Sequence, residues 1–346
     1  MTDLPAKPTD SVPHLGLGCA SLGNLYQAVA DDAARATIDA AWELGIRQFD
    51  TAPYYGLGLS ERRVGDALRE RERDAFILSS KVGRLLVPEA SPSNPERRAE
   101  RYGFVTPMPF EVRFDYTYDG IMRSYEASLQ RLGLSRIDIL LVHDIGADTH
   151  GADAARHFVD LAGGGYRALD ELRSRGDVRA IGLGVNEWQV CLEAMTIGRW
   201  DTFLLAGRYT LLEQEPLHTF LPQCAEHGAT IILGGAYNSG ILATGTRGTE
   251  APHYNYAPAP DDIIARVKRL EAVCDSFGVP LAAAALQFPL AHPVVDCVIP
   301  GLGSAARVKT TMDLLETAIP ASFWNTLRSE GLIDPAAPLP TAGEAR

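Results

Sequence analysis

This sequence lacks long apolar runs, paired cysteines and metal-binding motifs. No apolar run reaches the roughly 18 residues that cross a bilayer, and residues 1–13 contain no apolar signal core, so we expect a cytoplasmic protein with no membrane partner. The five cysteines include no C-x-x-C pair, which argues against a disulfide framework or a cysteine-rich zinc site. There is no H-E-x-x-H motif and the eight histidines are scattered, so we expect no metal.

Positive charge is scarce relative to negative charge. The 32 lysines and arginines are outnumbered by 44 aspartates and glutamates, which gives a net charge of −12. Nucleic acids and anionic membranes are bound by basic surfaces, so this balance argues against both as partners. Hydrophobic residues make up 46% of the chain, which is enough for the core of a full-sized globular domain.

Eight short apolar segments alternate with longer amphipathic ones from His14 onward. Segments of this length, rich in Ile, Leu and Val, are typical of strands buried on both faces. They are 14-HLGLGC-19, 46-IRQFD-50, 76-FILSSK-81, 137-IDILLVH-143, 178-VRAIGLGV-185, 202-TFLLAG-207, 229-ATIILGG-235 and 295-VDCVIPG-301. Eight strand–helix repeats favour one α/β domain, a closed (β/α)8 TIM barrel, with an open doubly wound sheet as the alternative. We expect residues 1–13 to be an N-terminal extension and residues 332–346 a C-terminal tail.

The stretches between the strands have helical spacing. The predicted helices cover residues 31–44, 60–71, 118–132, 165–175, 187–197, 216–227, 261–277 and 305–317. Ser60 is expected to cap the second of them, and Gly133, Gly176, Gly228 and Gly278 stand where C-terminal caps belong. Residues 84–117, after the third strand, and 236–260, after the seventh, are too long for simple turns. We expect long loops there that border a substrate pocket, and for residues 88–101 a surface insertion is the alternative.

Polar side chains cluster at the carboxyl ends of the first predicted strands. Asp50 ends the second strand, Tyr55 follows five residues later, Lys81 ends the third strand and His143 the fourth. These ends share the face of a barrel that carries active sites, and a buried lysine and aspartate are expected to pair. A phenol ordinarily titrates near pH ~10, and a neighbouring ammonium is expected to lower the pKa of Tyr55. With a neutral His143 binding the substrate oxygen, the set predicts proton transfer coupled to hydride transfer at a C–O centre.

Five segments resemble the aldo-keto reductases. The segment 49-FDTAPYYGLGLSERRVGDAL-68 resembles their signature around the catalytic Asp and Tyr, 78-LSSKVG-83 their lysine strand, and 121-IMRSYEASLQRLGLSRIDILLVHD-144 the helix that leads to the catalytic His. The segments 181-IGLGVN-186 and 298-VIPGLGSAARV-308 are similar to cofactor-binding stretches. The resemblance covers residues 14–330. It implies a (β/α)8 fold, a nicotinamide cofactor bound without a Gly-rich Rossmann turn, and a catalytic tetrad of Asp50, Tyr55, Lys81 and His143.

The resemblance also implies the cofactor contacts. Asn186 would hold the nicotinamide carboxamide, and the other expected contacts are Cys19, Asp50, Gly234, Gly235, Asn238, Ser239, Gly240, Pro300, Gly301, Gly303 and Arg307. Ala206 stands where the family often has Gln, and Gly234 or Gly235 stands where many members stack an aromatic ring. The basic residue and the Asn that NADP-preferring members carry are replaced here by Gly301, Leu302, Gly303 and Thr311. Because a 2′-phosphate requires charge-assisted hydrogen bonds, we predict NAD, with NADP as the alternative.

The run 118-YDGIMRSYEASLQRLG-133 and the stretch 238-NSGIL-242 are most similar to a subgroup that oxidises cyclic hemiacetals to lactones. We expect NAD-dependent oxidation of an aldose such as L-fucose or D-arabinose at C1, with Tyr55 as the base. Alternatives are oxidation of pyridoxal to 4-pyridoxolactone, a general NADPH-dependent aldehyde or ketone reductase, and a redox-sensing binding subunit. Tyr54, Tyr116, His143 and Tyr237 are candidate substrate contacts. The resemblance favours a monomer.

Overall fold

The computed structural model describes residue 12 and residues 14–89, 95–248 and 251–341. The predicted loops after the third and seventh strands include residues 90–94 and 249–250, which lie outside the described residues. Most of the predicted N-terminal extension and the last five residues of the predicted tail lie outside them as well.

The described residues contain the eight predicted barrel strands and two short hairpins. In chain order the strands are β1 (Leu17–Gly18), β2 (Gln48–Asp50), β3 (Ile77–Val82), β4 (Arg84–Pro88), β5 (Phe110–Phe114), β6 (Ile139–His143), β7 (Ala180–Val185), β8 (Thr202–Ala206), β9 (Thr230–Gly234), β10 (His253–Tyr254), β11 (Ala257–Pro258) and β12 (Val295–Ile299). A parallel sheet runs in the order β1-β2-β3-β6-β7-β8-β9-β12. Bridges from Leu15 to Val298 and from Gly18 to Gly301 join its two edges. The predicted (β/α)8 barrel is confirmed, and the alternative of an open sheet is wrong.

Apolar side chains from alternate strand positions, most of them Ile or Leu, fill the barrel. Ile77, Ile139, Leu141, Ala180, Leu204, Ile232, Cys297 and Ile299 form one buried cluster. Leu78, the neighbour of Ile77 on β3, belongs instead to the larger cluster that the strands form with the helices. Successive side chains of a strand point to opposite faces, so both faces are buried here. This double burial explains why the strands read as continuous apolar runs.

Helices cover the outside of the barrel. They are α1 (Asp31–Glu43), α2 (Leu59–Leu68), α3 (Pro95–Tyr102), α4 (Tyr118–Leu132), α5 (Ala147–His150), α6 (Ala154–Asp160), α7 (Tyr166–Arg175), α8 (Gln189–Met195), α9 (Phe220–His227), α10 (Ile241–Thr244), α11 (Asp261–Phe277), α12 (Leu281–Gln287), α13 (Ala305–Leu315) and α14 (Ala321–Ser329). A π-helical turn, Leu161–Gly165, precedes α7. No single helix of the described residues is long and apolar enough to cross a membrane. Taken together, the helical segments Asp261–Phe277 and Leu281–Ala291 have the length and composition of a membrane span, but the chain bends by 103° between them.

The helix ends agree with the predicted glycine caps but not with the predicted serine cap. Gly133, Gly176, Gly228 and Gly278 each follow a helix in the left-handed conformation, as predicted. Ser60, in contrast, lies inside α2, which begins after Gly58. Its buried hydroxyl donates to the carbonyl oxygen of Cys19 at 2.8 Å, so the prediction of an N-cap is wrong because this hydroxyl ties α2 to the barrel.

The two long connections contain regular structure that we did not predict. After β3, strands β4 and β5 pair antiparallel, with α3 between them. After β9, strands β10 and β11 form a second short antiparallel pair. The expectation of long loops is therefore wrong for these parts, because backbone pairing within each connection satisfies its own hydrogen bonds.

The segment after α14 packs on the barrel. Leu332, Ile333 and Ala337 are at most 1% exposed and belong to the main core cluster. The side chain of Gln214 accepts a hydrogen bond from the backbone of Asp334 at 2.7 Å. The prediction of a tail is wrong for residues 332–341, because their apolar side chains complete the core.

Candidate active site

The ends of β2 and β3 bring Asp50 and Lys81 into a buried ion pair. Lys81 Nζ donates to Asp50 Oδ2 at 2.6 Å and to the carbonyl oxygen of Thr51 at 3.0 Å. Ser79 Oγ donates to the other carboxylate oxygen at 2.7 Å. Burial lowers the pKa of Lys81, but Asp50 and Tyr55 together raise it above its usual value. Lys81 is therefore a fixed cation at the mouth of the barrel, paired as expected.

Tyr55 lies directly over this pair. Lys81 Nζ is 4.7 Å from the centre of the Tyr55 ring. The turn that holds the tyrosine is tight, because Gly56 has a φ of +64° and a Cβ there would overlap the carbonyl oxygen of Gly23. Glycine is the residue that suits both conditions. The backbone thus fixes the phenol beside the ammonium.

The pKa of Tyr55 is raised rather than lowered. Burial raises it most, the charge of Lys81 opposes that effect, and Asp50 and Asp144 raise it further. The expectation that the ammonium would lower the pKa of Tyr55 overall is wrong, because desolvation of the phenolate outweighs the attraction of the nearby cation. The charge of Lys81 nevertheless keeps the pKa of Tyr55 lower than burial alone would make it.

His143 completes the group at the end of β6. Its ring centre is 5.9 Å from that of Tyr55 and 6.0 Å from that of Tyr54, with both pairs edge-on. Burial, followed by the charges of Arg84 and Lys81, holds the pKa of His143 well below its usual value. The imidazole is therefore neutral at physiological pH, and a neutral imidazole can donate a hydrogen bond to a substrate oxygen.

A second ion pair, which we did not predict, lies beside His143. Arg84 Nη2 donates to Asp144 Oδ2 at 2.7 Å, and both side chains are largely buried. Asn186 Nδ2 donates to the other Asp144 oxygen at 3.2 Å. Arg84 directly follows the segment 78-LSSKVG-83, and Asp144 directly follows His143. Two ionic residues next to apolar strands were the signal that could have revealed this pair.

The nicotinamide end of the expected cofactor site centres on Asn186. Gly234 ends β9, and Gly235 follows it exposed, with a φ of +64°. Tyr256, on the turn between β10 and β11, donates its hydroxyl to Asn186 Oδ1 at 3.3 Å. Its backbone N–H donates to Ser239 Oγ at 2.9 Å. The hairpin therefore reaches across to the amide that is expected to bind the carboxamide, and this contact was not predicted.

The phosphate end lies where β12 leads into α13. Pro300 is buried, Gly301 is exposed, and a Cβ on Gly301 would come 3.3 Å from Ser21 Oγ. Ser304 caps α13 by accepting from the N–H of Arg307 at 3.3 Å, and Arg307 is exposed on the first turn. Small residues before a helix N-terminus, with an arginine beside it, suit a diphosphate. The donors present at both ends thus fit a nicotinamide dinucleotide.

Two expected cofactor contacts use their side chains within the protein. The amide of Asn238 is buried, donates to the carbonyl oxygen of Gly207 at 3.1 Å and accepts from Thr210 Oγ1 at 2.6 Å. The thiol of Cys19 is fully buried and donates to the carbonyl oxygen of Leu17. The predicted cofactor contact is therefore corrected for these two side chains, which instead hold the backbone of neighbouring loops. Gly240 is partly exposed with a φ of +105° and follows Ser239 in the same loop.

The candidate substrate tyrosines separate into different environments. Tyr54 lies at the site, half-buried beside His143, with its hydroxyl donating to the carbonyl oxygen of Tyr102 at 3.2 Å. Tyr116 is fully buried, and its hydroxyl donates to the backbone oxygen of His143 at 2.8 Å. The prediction of Tyr116 as a substrate contact is wrong, because its ring is part of the core behind the histidine. Tyr237 is half-buried and packs against the main core.

Comparison with known proteins agrees with this geometry. Residues 14–330 match the model of the aldo/keto reductase family. Pyridoxal 4-dehydrogenase from Microbacterium luteolum is 46% identical over 328 residues, which cover 93% of this chain and 95% of that protein. D-threo-aldose 1-dehydrogenase from Pseudomonas sp is 40% identical over 330 residues, with the same coverage of 93% and 95%.

The fold is shared with solved structures. The aldo-keto reductase AKR11C1 from Bacillus halodurans, in its holo form, superimposes with a TM-score of 0.70. The match covers 98% of both chains at 24% identity, which shows a common fold. The family match, the two relatives and the barrel confirm the resemblance seen in the sequence. This chain belongs to the aldo/keto reductase family and is an NAD(P)-dependent oxidoreductase.

Proposed function

We propose that this protein oxidises a cyclic hemiacetal to its lactone, with NAD as the oxidant and Tyr55 as the general base. The observation that carries the proposal is the buried Asp50–Lys81 pair directly beneath Tyr55, with a neutral His143 beside them. Two relatives, 46% and 40% identical, are named dehydrogenases of pyridoxal and of D-threo-aldoses. Both names fit oxidation of an aldehyde carbon.

Each residue of the tetrad has a distinct task in this reaction. Tyr55, as phenolate, removes the proton from the hemiacetal hydroxyl, and Lys81 stabilises the phenolate by its charge. Asp50 holds and neutralises Lys81. His143 donates a hydrogen bond to the same substrate oxygen and so orients the C–H bond that breaks. A bound nicotinamide supplies the hydride acceptor.

The direction of the pKa shift of Tyr55 gives a pH dependence. A general base acts only when it is deprotonated, and burial raises the pKa of Tyr55 above its usual value. Oxidation is therefore expected to accelerate as the pH rises above neutrality, because the phenolate fraction grows with pH. Aldehyde reduction, which needs the protonated phenol, is expected to stay nearly constant over that range and to slow only when the pH approaches the raised pKa.

The proposed preference for NAD rests on the phosphate end of the site. A 2′-phosphate is bound by charge-assisted hydrogen bonds, usually from several cations. NADP-preferring members are expected to carry a basic residue after β12 and an Asn further along, and this chain has Gly301, Leu302, Gly303 and Thr311 in those places. Arg307 is the cation on this helix turn, and we assign it to the ribose or the adenine.

A spectrophotometric screen tests the proposal. NAD or NADP is combined with pyridoxal, L-fucose, D-arabinose and L-galactose, and formation of the reduced cofactor is followed. We expect NAD reduction by pyridoxal or by one of the aldoses, with a lactone as the product in mass spectrometry. If every hemiacetal leaves NAD unchanged while simple aldehydes consume NADPH, the protein is a reductase and the proposal is wrong.

A further inference from the structure

The carboxylate of Asp144 joins parts of the site that come from different strands. Its Oδ2 accepts from Arg84 Nη2 at 2.7 Å and lies 3.4 Å from His143 Nε2. Its Oδ1 accepts from Asn186 Nδ2 at 3.2 Å. One carboxylate therefore contacts both the histidine assigned to the substrate oxygen and the amide assigned to the nicotinamide carboxamide.

The surroundings hold this carboxylate in one place. Arg84 is 5% exposed, and its Cζ lies 4.3 Å from the ring centre of Tyr54 and 5.6 Å from that of Phe114. Asp144 itself has a φ of +40°, and its N–H donates to the carbonyl oxygen of Gly184 at 3.0 Å. A non-glycine residue in the left-handed region is uncommon and persists where tertiary contacts fix it. The ion pair is thus a rigid part of the barrel mouth.

The pair also places two opposite charges close to the proton-transfer group. The charge of Asp144 raises the pKa of Tyr55, and the charge of Arg84 lowers the pKa of His143. The titratable and charged groups that share this environment are Asp50, Tyr54, Tyr55, Lys81, Arg84, Tyr116, His143, His150, Glu187 and Tyr256. Because the two charges of an ion pair offset each other, we expect removal of either Asp144 or Arg84 to leave the other charge uncompensated beside the site.

We propose that Asp144, clamped by Arg84, is a positioning residue that fixes His143 and Asn186 relative to each other. Through it, the oxygen of the substrate and the carboxamide of the cofactor are placed by a single carboxylate. This inference rests on the proposed function in that it takes Asn186 as a cofactor contact and His143 as a substrate contact. Asp144 acts through these neighbours and transfers no proton itself.

Asp144→Asn tests the link to the cofactor side. The variant keeps the shape of the side chain but presents an amide N–H₂ to either Arg84 or Asn186, so one of the two hydrogen bonds is lost. We expect NADH, titrated by its fluorescence without any substrate, to bind roughly 3- to 10-fold more weakly, as suits the loss of one hydrogen bond to a charged group. This measurement does not depend on which substrate the enzyme oxidises.

Arg84→Met supplies the opposite change of charge. Asp144→Asn leaves an uncompensated cation near Tyr55, which favours the phenolate, so the pH profile of turnover is expected to shift to lower pH. Arg84→Met leaves an uncompensated carboxylate, so its profile is expected to shift to higher pH. The double variant, which is neutral again, is expected to return towards the wild-type profile. A purely structural role for the pair would not produce opposite shifts.

Asp201→Asn is the matched control. Asp201 forms a similarly buried ion pair with Arg173 at 2.7 Å, but it stands at the start of β8, at the other end of the barrel. We expect it to lower thermal stability without changing NADH binding or the pH profile. The proposal is overturned if Asp144→Asn folds and binds NADH like the wild type, or if both site variants shift the pH profile in the same direction. Failure of the hemiacetal screen alone would leave the NADH titration valid.

Discussion

At the scale of single residues, two adjacent tyrosines offer a direct test of the proton-transfer group. Tyr55→Phe removes the hydroxyl above Lys81 and is expected to lower kcat by about 10²- to 10⁴-fold, the usual contribution of a general acid or base. Tyr54→Phe removes the neighbouring hydroxyl, which donates to the backbone of Tyr102, and is expected to change kcat by less than about 10-fold, since one hydrogen bond is lost. Steady-state kinetics with the substrate found in the screen measure both variants.

Measuring NADH binding distinguishes a variant that has lost the proton-transfer group from one whose cofactor site is disrupted. NADH is expected to bind Tyr55→Phe with nearly the wild-type Kd, because the phenol hydroxyl is not among the groups assigned to the dinucleotide. Turnover of Tyr55→Phe close to that of the wild type would remove this residue from the mechanism. If kcat of Tyr54→Phe fell as far as that of Tyr55→Phe, the loss would be due to disturbed packing and not to the missing Tyr55 hydroxyl.

The role of a residue could be predicted from the sequence where that role follows from its position at the end of a strand. Asp50 and Lys81 end neighbouring strands, so their pairing follows from parallel register and from the cost of leaving either charge alone. Tyr116 was misassigned because a buried tyrosine and a pocket tyrosine look alike in sequence. Tyr256 was missed because nothing local connects it with Asn186, 70 positions earlier in the chain.

At the scale of secondary-structure elements, the β10–β11 hairpin is placed to control access to Asn186. Tyr256 donates to the oxygen of Asn186 that the carboxamide of a nicotinamide would need. Tyr256→Phe removes this competing donor, and we expect NADH to bind about 2- to 5-fold more tightly, as suits one hydrogen bond of modest net strength. Fluorescence titration of NADH measures the change.

Tyr118→Phe is the control for the hairpin variant. The hydroxyl of Tyr118 donates to Glu171 on the outer helices at 2.7 Å, away from the barrel mouth. This variant is expected to bind NADH like the wild type. Weaker binding by Tyr256→Phe would contradict the prediction and would show that the hydroxyl supports the bound cofactor instead of competing with it.

The strands and helices of the barrel were easier to predict than the two hairpins. Continuous apolar runs and left-handed glycines are local signals, and they correctly placed the barrel strands and the ends of α4, α7, α9 and α11. The β4–β5 hairpin is mostly only partly buried, and the apolar–polar alternation of β5, 110-FEVRF-114, was a local signal for a strand that our prediction missed. Its pairing depends on residues brought together across α3, which periodicity along the chain does not reveal.

At the scale of the whole molecule, α14 and the segment that follows it pack on the barrel and contribute to its core. Trp324 and Phe323 on α14 stack edge-on at 5.0 Å, and Leu332 and Ile333 follow them into the core. Residues 332–341 contain three prolines and no helical or strand-like periodicity, so their sequence does not indicate that they pack on the barrel. Leu332, Ile333 and Ala337 are buried by contacts with distant parts of the chain, which composition alone does not indicate.

Burial of histidines makes the stability of the whole fold sensitive to acid. His292 is 9% exposed, lies edge-on to Tyr209 and has its pKa lowered by burial from 6.5 to about 4. The unfolded chain therefore binds more protons than the folded chain between these two values. The free energy of unfolding is expected to fall as the pH drops through that window, and the contribution of His292 is present in full above the higher value.

His292→Asn tests this linkage, since an asparagine retains an acceptor for the N–H of Val294, which donates to the ring at 3.3 Å. We expect the variant to be less stable than the wild type at neutral pH, because packing on Tyr209 is lost. Its stability should fall less between pH 6.5 and pH 4, by roughly 2 kcal/mol. His227→Asn, at an exposed position on α9, should keep the wild-type slope. Urea unfolding at several pH values measures all three proteins, and equal slopes for His292→Asn and the wild type would show that other groups control acid unfolding.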